Sequence, residues 1–413
     1  MGEVHVLVTD TAPLTPVRWG GPHRIFTLFA NLPEDFQVTY VGLDLNSRES
    51  REHNAAARLH EMVVPPSRLF PAARRAQLAL LREESIDLYS YILAHHGRAY
   101  RNAVLREAEC ADILVASHPW GFPLLQLAEK RARKAGQRKL LVYDAHNCEL
   151  TLAAQILKKT PGIPRSVALR AISAIEKEAV RESALVLACS ARDADEFARH
   201  YGAPSMVQML PNAVRLREAP SPAIRQRARN ALGIPEDERS ALFIGSYYRP
   251  NIEAFEALLD IAAGMPAVRF HVAGSVSGYP ESHPRPRSIP SNVALHGVVD
   301  EEKLGLLLSA ADIALNPTLT GGGIQIKMLD YLAAGLPVVT TPHGARGLPV
   351  EHGKHLLLAD SSAMKGAVEQ LLASPALGRR LGAAGRELVA KRYDAAMLSG
   401  RLAATLRDAW SAS

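Results

Sequence analysis

Cysteine is scarce: Cys110, Cys148 and Cys189 are the only three in 413 residues, they are widely scattered, and no C-x-x-C pair occurs. A disulfide framework and a zinc site are both disfavoured by that count and spacing, and the three read as reduced core thiols. Long apolar runs are lacking too. None approaches the roughly 20 residues of a membrane span, and the chain opens directly into a polar-flanked strand. Neither a transmembrane helix nor a signal peptide is expected, and a cytoplasmic protein is. No G-x-x-x-x-G-K-[ST] occurs; Gly347 and Gly353-Lys354 come near it with the wrong spacing and with His355 in place of the hydroxyl residue. There is no G-x-S-x-G elbow and no H-E-x-x-H, which sets aside P-loop kinases, serine hydrolases and zinc proteases. No metal or cofactor is expected. Recognisable nucleic-acid modules and aromatics interleaved with basic residues are absent, so nucleic acid is not an expected partner. Internal repeats and low-complexity tracts are missing as well.

What is present is an ordinary globular balance, 47% hydrophobic and 22% charged, in a chain long enough for two domains. The net charge of +6 is concentrated at Lys130-Arg131-Ala132-Arg133-Lys134 through Lys139 and around Arg68, Arg74 and Arg75. The first cluster reads best as a solvated helix face. The segment 65–92 reads as mainly helical, and within it Arg68 with Leu69 and Phe70, and the Arg74-Arg75 pair, leave open an amphipathic helix at a membrane surface beside the plainer reading of a surface helix. Strand and helix patterns alternate almost from end to end, which predicts α/β architecture with parallel sheets.

The stretch AADIALNPTLTGGGIQIKMLDYLAAGLPVVTTPHGARG, residues 311–347, is a βαβ unit with its loop chemistry exposed. A strand at 313–317 runs into Gly321-Gly322-Gly323, a helix at about 324–334 ends at Gly335, and a second strand starts at Pro337. Consecutive glycines remove the Cβ atoms that would keep a ligand off the backbone, and they lie where a helix N-terminus carries about half a positive charge. That turn suits an anion. Lys327 adds a full charge, and Asp330, one further turn along the same face, offers a carboxylate to hydroxyls. Close strand–helix packing with a solvated lysine explains the glycines equally well on these residues alone.

Other candidates lie where predicted strands end, which is where open α/β sheets bind ligands. The first strand, 4–9, leads to a loop with Trp19, Gly20 and Gly21. A buried strand at 113–116 delivers Ser117 and His118, for which structural and functional roles weigh evenly. The strand at 140–145 leads to Asp144-Ala145-His146-Asn147-Cys148-Glu149, whose polar groups either read hydroxyls or hold the loop. Ser190 reads as a helix cap. In the second half the strand ends are Gly245-Ser246-Tyr247-Tyr248-Arg249-Pro250-Asn251, Gly274-Ser275 and Gly297-Val298.

The 316–348 wording, with D-x-H-N-x-E at 144–149 and Pro211-Asn212-Ala213-Val214, resembles retaining glycosyltransferases of the GT-B fold, in particular the family-4-like group also called glycosyl transferases group 1. The resemblance spans most of the chain and is specific in its second half and in those two short stretches. It implies two Rossmann-like parallel-sheet domains facing an interdomain cleft: residues 1–205 on the acceptor side and 206–393 on the nucleotide-sugar side, with a last helix at about 394–413 packing back onto the first. It further implies donor binding by Gly20, Gly21, Gly274, Gly297, Val298, Gly322, Gly323, Ile324, Lys327 and Asp330. Catalytic positioning would fall to His118, Lys327 and Arg249, and acceptor contacts to His146, Asn147 and Glu149. The donor would be a nucleotide-diphosphate sugar and the acceptor a glycan, a lipid-linked glycan or a small molecule, with peripheral contact at the inner membrane surface left open. Gly322 stands where the family usually has the first of two glutamates, and Asp330 where it has the second. A single Arg249 stands where an Arg and a Lys are common. These departures keep two other classes in view, a nucleotide-sugar epimerase and a non-catalytic sugar- or nucleotide-sugar-binding protein.

Overall fold

The computed structural model describes residues 3–17, 20–82, 88, 97–160, 162–204, 206–218, 221–321 and 323–412. Trp19, Gly322 and most of the 83–92 part of the predicted amphipathic segment lie outside the described residues. The chain divides into two units, one of residues 1–211 with 396–413 and one of residues 212–395.

The first unit is built on eight strands: β1 (Val4–Thr9), β2 (Phe36–Leu43), β3 (Arg51–Ala56), β4 (Leu59–Val64), β5 (Ile113–Ser117), β6 (Leu140–Ala145), β7 (Leu185–Ala188) and β8 (Val207–Met209). Their order is β3-β4-β2-β1-β5-β6-β7-β8, and every pair is parallel except β3 with β4. β5, β6 and β7 are buried at every residue, which is why they read as unbroken apolar runs rather than alternating ones. The core joins Leu114, Tyr143, Val186 and Phe197 across strands and helices, and each such side chain contributes about 1.5–3 kcal/mol by leaving water. The β3–β4 hairpin gives no sequence signal: β3, REHNAA, is an exposed and charged edge strand that discourages further pairing. β4 is pinned by Glu61, a fully buried carboxylate that accepts the backbone N–H of Leu14 at 2.7 Å and of Thr15 at 3.1 Å. The last helix, Ala395–Ala412, belongs to this unit from residue 396 on; Arg407 pairs with Asp35 at 2.6 Å and Ser399 donates to the Leu28 carbonyl at 2.8 Å.

The second unit carries β9 (Arg239–Ile244), β10 (Val268–Ala273), β11 (Val293–Leu295), β12 (Ile313–Asn316), β13 (Val338–Thr340) and β14 (Leu357–Leu358) in the order β11-β10-β9-β12-β13-β14, all parallel. Phe243, Phe255, Phe270 and Leu315 centre one side of its core, and Leu242, Met328, Tyr331 and Leu332 the other. Tyr331 is buried with its hydroxyl accepting the Ile244 N–H at 2.7 Å, so the helix Ile326–Ala333 is locked to the end of β9.

Each sheet reverses direction once. In the first, the chain leaves β1 toward β2 and returns to the other side at β5; in the second, it leaves β9 toward β10 and returns at β12. Strand carboxyl ends at such reversals splay apart and form the crevice where α/β sheets take ligands.

Candidate functional sites at two switch points

At the first reversal, β1 ends in Thr9 and Asp10 and β5 in Ser117 and His118. Asp10 is 3% exposed; one of its oxygens accepts the Thr11 N–H at 2.7 Å and lies 3.2 Å from His118 Nδ1. His118 has φ 70°, a left-handed conformation that costs a non-glycine residue on the order of 1–3 kcal/mol. The imidazole is thus held by a carboxylate and by an unusual backbone at once. His146 follows β6 and stacks obliquely on it, with ring centroids 4.1 Å apart at 50°. Beneath them Asp144 is fully buried and paired with the equally buried Arg24 at 2.6 Å, while Ser117 Oγ donates to it at 3.2 Å. Arg24 also donates to the Leu210 carbonyl at 2.8 Å. Burial alone would raise the Asp144 carboxyl, but the Arg24 guanidinium and His146 hold it well below the usual carboxylate range. His146 Nε2 lies 3.3 Å from Asp144 Oδ2 without making a hydrogen bond to it. Burial first, and then the neighbouring His118, push the His146 pKa down to about 4, so it is a neutral imidazole at pH 7.

Gly20 and Gly21 open the helix Gly20–Phe29 over these rings. A Cβ on Gly21 would stand 3.5 Å from His118 Cε1 and 3.5 Å from His146 Nδ1, ordinary contact that would occupy the space above both imidazoles. The acceptor-side trio does not stay together. Asn147 is half-buried in the turn, whereas Glu149 starts the helix Glu149–Ile156 and donates its N–H to Glu176 at 2.5 Å. Glu176, absent from the sequence expectations, is a fully buried carboxylate that caps this helix, taking the Leu150 N–H at 3.0 Å and the Tyr201 hydroxyl at 2.7 Å.

At the second reversal the material is glycine. Gly274 has φ 98°, and a Cβ there would collide with the Gly245 carbonyl oxygen, so β9 and β10 can end this close together only with glycine. Gly274 N–H donates to the Gly297 carbonyl at 2.8 Å, and Val298 beyond it is 59% exposed. Gly321 (φ 110°) and Gly323 (φ 60°) carry the turn after β12 through conformations that disfavour a side chain. The helix then starts at Ile326, two residues later than the sequence suggests, so Ile324 remains in the turn and packs against Gly347. Lys327 consequently sits in the first turn, closer to the positive pole. Its ammonium donates to Asn251 Oδ1 at 2.7 Å and lies 4.4 Å from the centre of the Phe243 ring, and it makes no ion pair with the described residues. Burial draws its pKa down to about 7, although part of its surface remains open. Asp330, on the same helix, is pushed up to about 7 by burial, with Arg217 opposing the rise and Glu301 adding to it.

Arg249 begins the helix Arg249–Ala263, is half exposed, and faces Glu253 at 3.1 Å. Glu253 also accepts the Thr320 hydroxyl at 2.7 Å, tying the glycine turn to that helix. Asn251 belongs to the strand-end stretch read from the sequence, but its contact with Lys327 was not expected, nor were Glu253 and Arg346; Arg346 Nη2 would stand 3.8 Å from a Cβ on Gly321. Asn251 lies in the first turn and Glu253 at the start of the second turn of a helix after a strand end, the one signal that could have marked them.

Residues 238–374 match the family described as glycosyl transferases group 1. Over 200 residues the chain is 28% identical to a phosphatidyl-myo-inositol mannosyltransferase of Mycobacterium leprae, covering 47% of this chain and 51% of that protein. It is 31% identical over 196 residues to a D-inositol 3-phosphate glycosyltransferase of Geodermatophilus obscurus, covering 43% and 42%. The chain thus spans about half the length of the curated relatives it matches. Among solved structures, sucrose-phosphate synthase from Thermosynechococcus elongatus superposes with TM-score 0.70 at 17% identity, covering 99% of this chain and all of that one. HepE of Anabaena in complex with UDP-glucose gives TM-score 0.69 at 15% identity, covering 98% and 99%. The fold is that of the GT-B glycosyltransferases, and the second unit is related to the glycosyl transferases group 1 family.

Proposed function

We propose that this protein is a retaining glycosyltransferase that moves a sugar from a nucleotide-diphosphate sugar to an acceptor hydroxyl. The observation that carries the reading is Lys327. It is a cation in the first helical turn after a glycine turn, at the reversal of the second sheet, with only neutral partners among its described contacts. A diphosphate is the ligand such a place would stabilise. In the reaction the anomeric carbon–oxygen bond to the diphosphate breaks and a bond to the acceptor oxygen forms on the same face, the acceptor proton passing to the departing diphosphate. Negative charge grows on that leaving group, and Lys327 with the Gly323 and Ile324 backbone meets it. Asp330, near half-protonated at pH 7, can both donate to and accept from ribose hydroxyls. Arg249 joins only by exchanging Glu253 for phosphate. His118 and His146 in the first unit orient the reacting sugar and acceptor, His146 as a neutral imidazole. None of these roles calls for a metal, and no cluster of His, Cys, Asp or Glu suited to one occurs among the described residues.

The relatives take their names from phosphatidyl-myo-inositol and D-inositol 3-phosphate, which places phosphorylated polyols and lipid headgroups first among acceptors to be tried. A peripheral site at the cytoplasmic membrane face fits the helix Phe70–Leu81, which turns Leu78 and Leu80 outward beside Arg74 and Arg75. No described helix is long and apolar enough to cross a membrane.

The deciding experiment incubates the protein with UDP-, GDP- and ADP-sugars, with and without candidate acceptors, and measures nucleotide release. Release that requires an acceptor supports transfer. A free altered sugar without acceptor would indicate an epimerase, and nucleotide-sugar binding without turnover a binding protein. Sedimentation with anionic vesicles, against neutral ones, tests the membrane contact.

A further inference from the structure

Lys327 is held by neighbours whose chemistry is unusual for a half-buried cation. The acceptor of its proton is a carboxamide, although the adjoining helix carries a glutamate two residues further on. The carboxamide has no choice of orientation: Asn251 Nδ2 lies 3.1 Å from the Ser246 carbonyl and 3.1 Å from Ser246 Oγ, so the nitrogen is turned to Ser246 and Oδ1 must face Lys327. Room for this side chain is made by Gly245, where a Cβ would press to 3.3 Å on Asn251 Cβ and Cγ. The fully buried Phe243 closes the other side with its ring. Glu253, the nearest acid along that helix, is occupied by Arg249 and Thr320.

We infer that Asn251, aimed by Ser246, is a positioning residue that holds the Lys327 ammonium at the glycine turn while leaving its charge uncancelled for an incoming diphosphate. A carboxylate in its place would grip the lysine as firmly and cancel the charge. An aliphatic side chain would leave the ammonium unaimed and its pKa lower still. The amide dipole does neither, and it stabilises the protonated form that burial disfavours. The helix Arg249–Ala263 carries Arg249, Glu253, Glu256 and Asp260, the turn after β13 carries His343 and Arg346, and the lysine's own helix carries Asp330. Arg249 and Glu253 neutralise each other, Glu256 takes the Tyr279 hydroxyl, and Asp260 pairs with Arg287.

This inference rests on the reading of the glycine turn as a diphosphate site, and the test separates the two. Binding of UDP and of inorganic pyrophosphate to the full chain is measured by calorimetry between pH 6 and 9 for the parent, Lys327→Met, Asn251→Asp, Asn251→Leu and Ser246→Ala. Parent affinity should fall as pH rises through about 7, where Lys327 loses its proton. Asn251→Leu should weaken binding roughly tenfold or more and move that midpoint to lower pH. Asn251→Asp should also weaken binding but move the midpoint to higher pH, a shift that general loss of packing does not produce. Ser246→Ala, which removes the hydroxyl contact of the amide and leaves the carbonyl one, should give a smaller weakening in the direction of Asn251→Leu, and it carries the test where an Asn251 variant does not fold. Unchanged affinity and midpoint in the folded Asn251 and Ser246 variants, with Lys327→Met deficient, overturns the positioning role alone. Equal pyrophosphate binding by the parent and Lys327→Met, or none by the parent, overturns the diphosphate site itself.

Discussion

At the end of β5, His118 is ringed by Asp10 and His146, with the Arg24–Asp144 pair behind them; near the ends of β9 and β12, Lys327 has a carboxamide and a phenyl ring for company. Both places are reversals of a parallel sheet, yet one is built around a paired guanidinium and carboxylate and the other leaves a cation without an anion among the described residues. Closed networks of the first kind rigidify. Once a guanidinium, a carboxylate and two imidazoles are locked below the surface, the groups they present have one geometry and, for His146, one protonation state. Open arrangements of the second kind cost stability and are repaired by a ligand. On the proposed reading the glycines would let the backbone come close to such a ligand, whose anion would supply the missing half of an ion pair with the lysine. One unit would then orient sugar hydroxyls and the other receive an anion.

The sharpest way to break this comparison is to open the closed network. Arg24→Met leaves Asp144 buried without its cation and should cost about 3–5 kcal/mol in denaturant unfolding, whereas Lys327→Met should leave stability unchanged or raise it. Equal effects of the two substitutions would erase the distinction. In turnover the order reverses: Lys327→Met should lower the rate on the order of 10² or more while the protein stays folded, and near-parental turnover would remove it from the site. His118→Ala should lower turnover strongly with nucleotide affinity almost unchanged, since its contacts belong to the other unit; parallel loss of melting temperature and of nucleotide affinity would make it a core residue instead. Asp330→Ala should weaken nucleotide-sugar binding by about 1.5–3 kcal/mol, and unchanged affinity would make it a bystander.

The smallest effects are in pH. His146 has its native pKa near 4, below its unfolded value of 6.5, so the unfolded chain binds more protons between the two. Stability on its account is complete above about pH 6.5 and declines as the pH falls from there toward 4. Lys327, near 7 instead of 10.5, makes stability climb as pH rises from about 7 toward 10.5, the same window in which anion affinity is lost. Unfolding curves for His146→Gln and Lys327→Met should each flatten in its own window.

Sequence alone determined the class of fold, because β5, β6, β7 and β12 must be covered on both faces and so spell continuous apolar runs, and because helix starts are marked by short-range chemistry such as Ser190 accepting the Asp193 N–H at 3.2 Å. It also singled out the glycine turn with Lys327 and Asp330, which lie within one local segment and whose backbone needs are printed in residue type. The β3–β4 hairpin escaped because its edge strand is polar and its anchor, Glu61, works by binding a loop 47 residues earlier. Asp10 and His118 are 108 residues apart, Arg24 and Asp144 are 120, and Asn251 and Lys327 are 76. Spacings of that size carry no periodic signal. Which charge meets which is decided by strand order, and strand order exists only after the sheets have closed. The tertiary structure therefore decided that Asp144 is a buried counter-ion, that Glu149 is drawn into a helix cap, that Arg249 turns to Glu253, and that a carboxamide rather than a carboxylate holds the lysine.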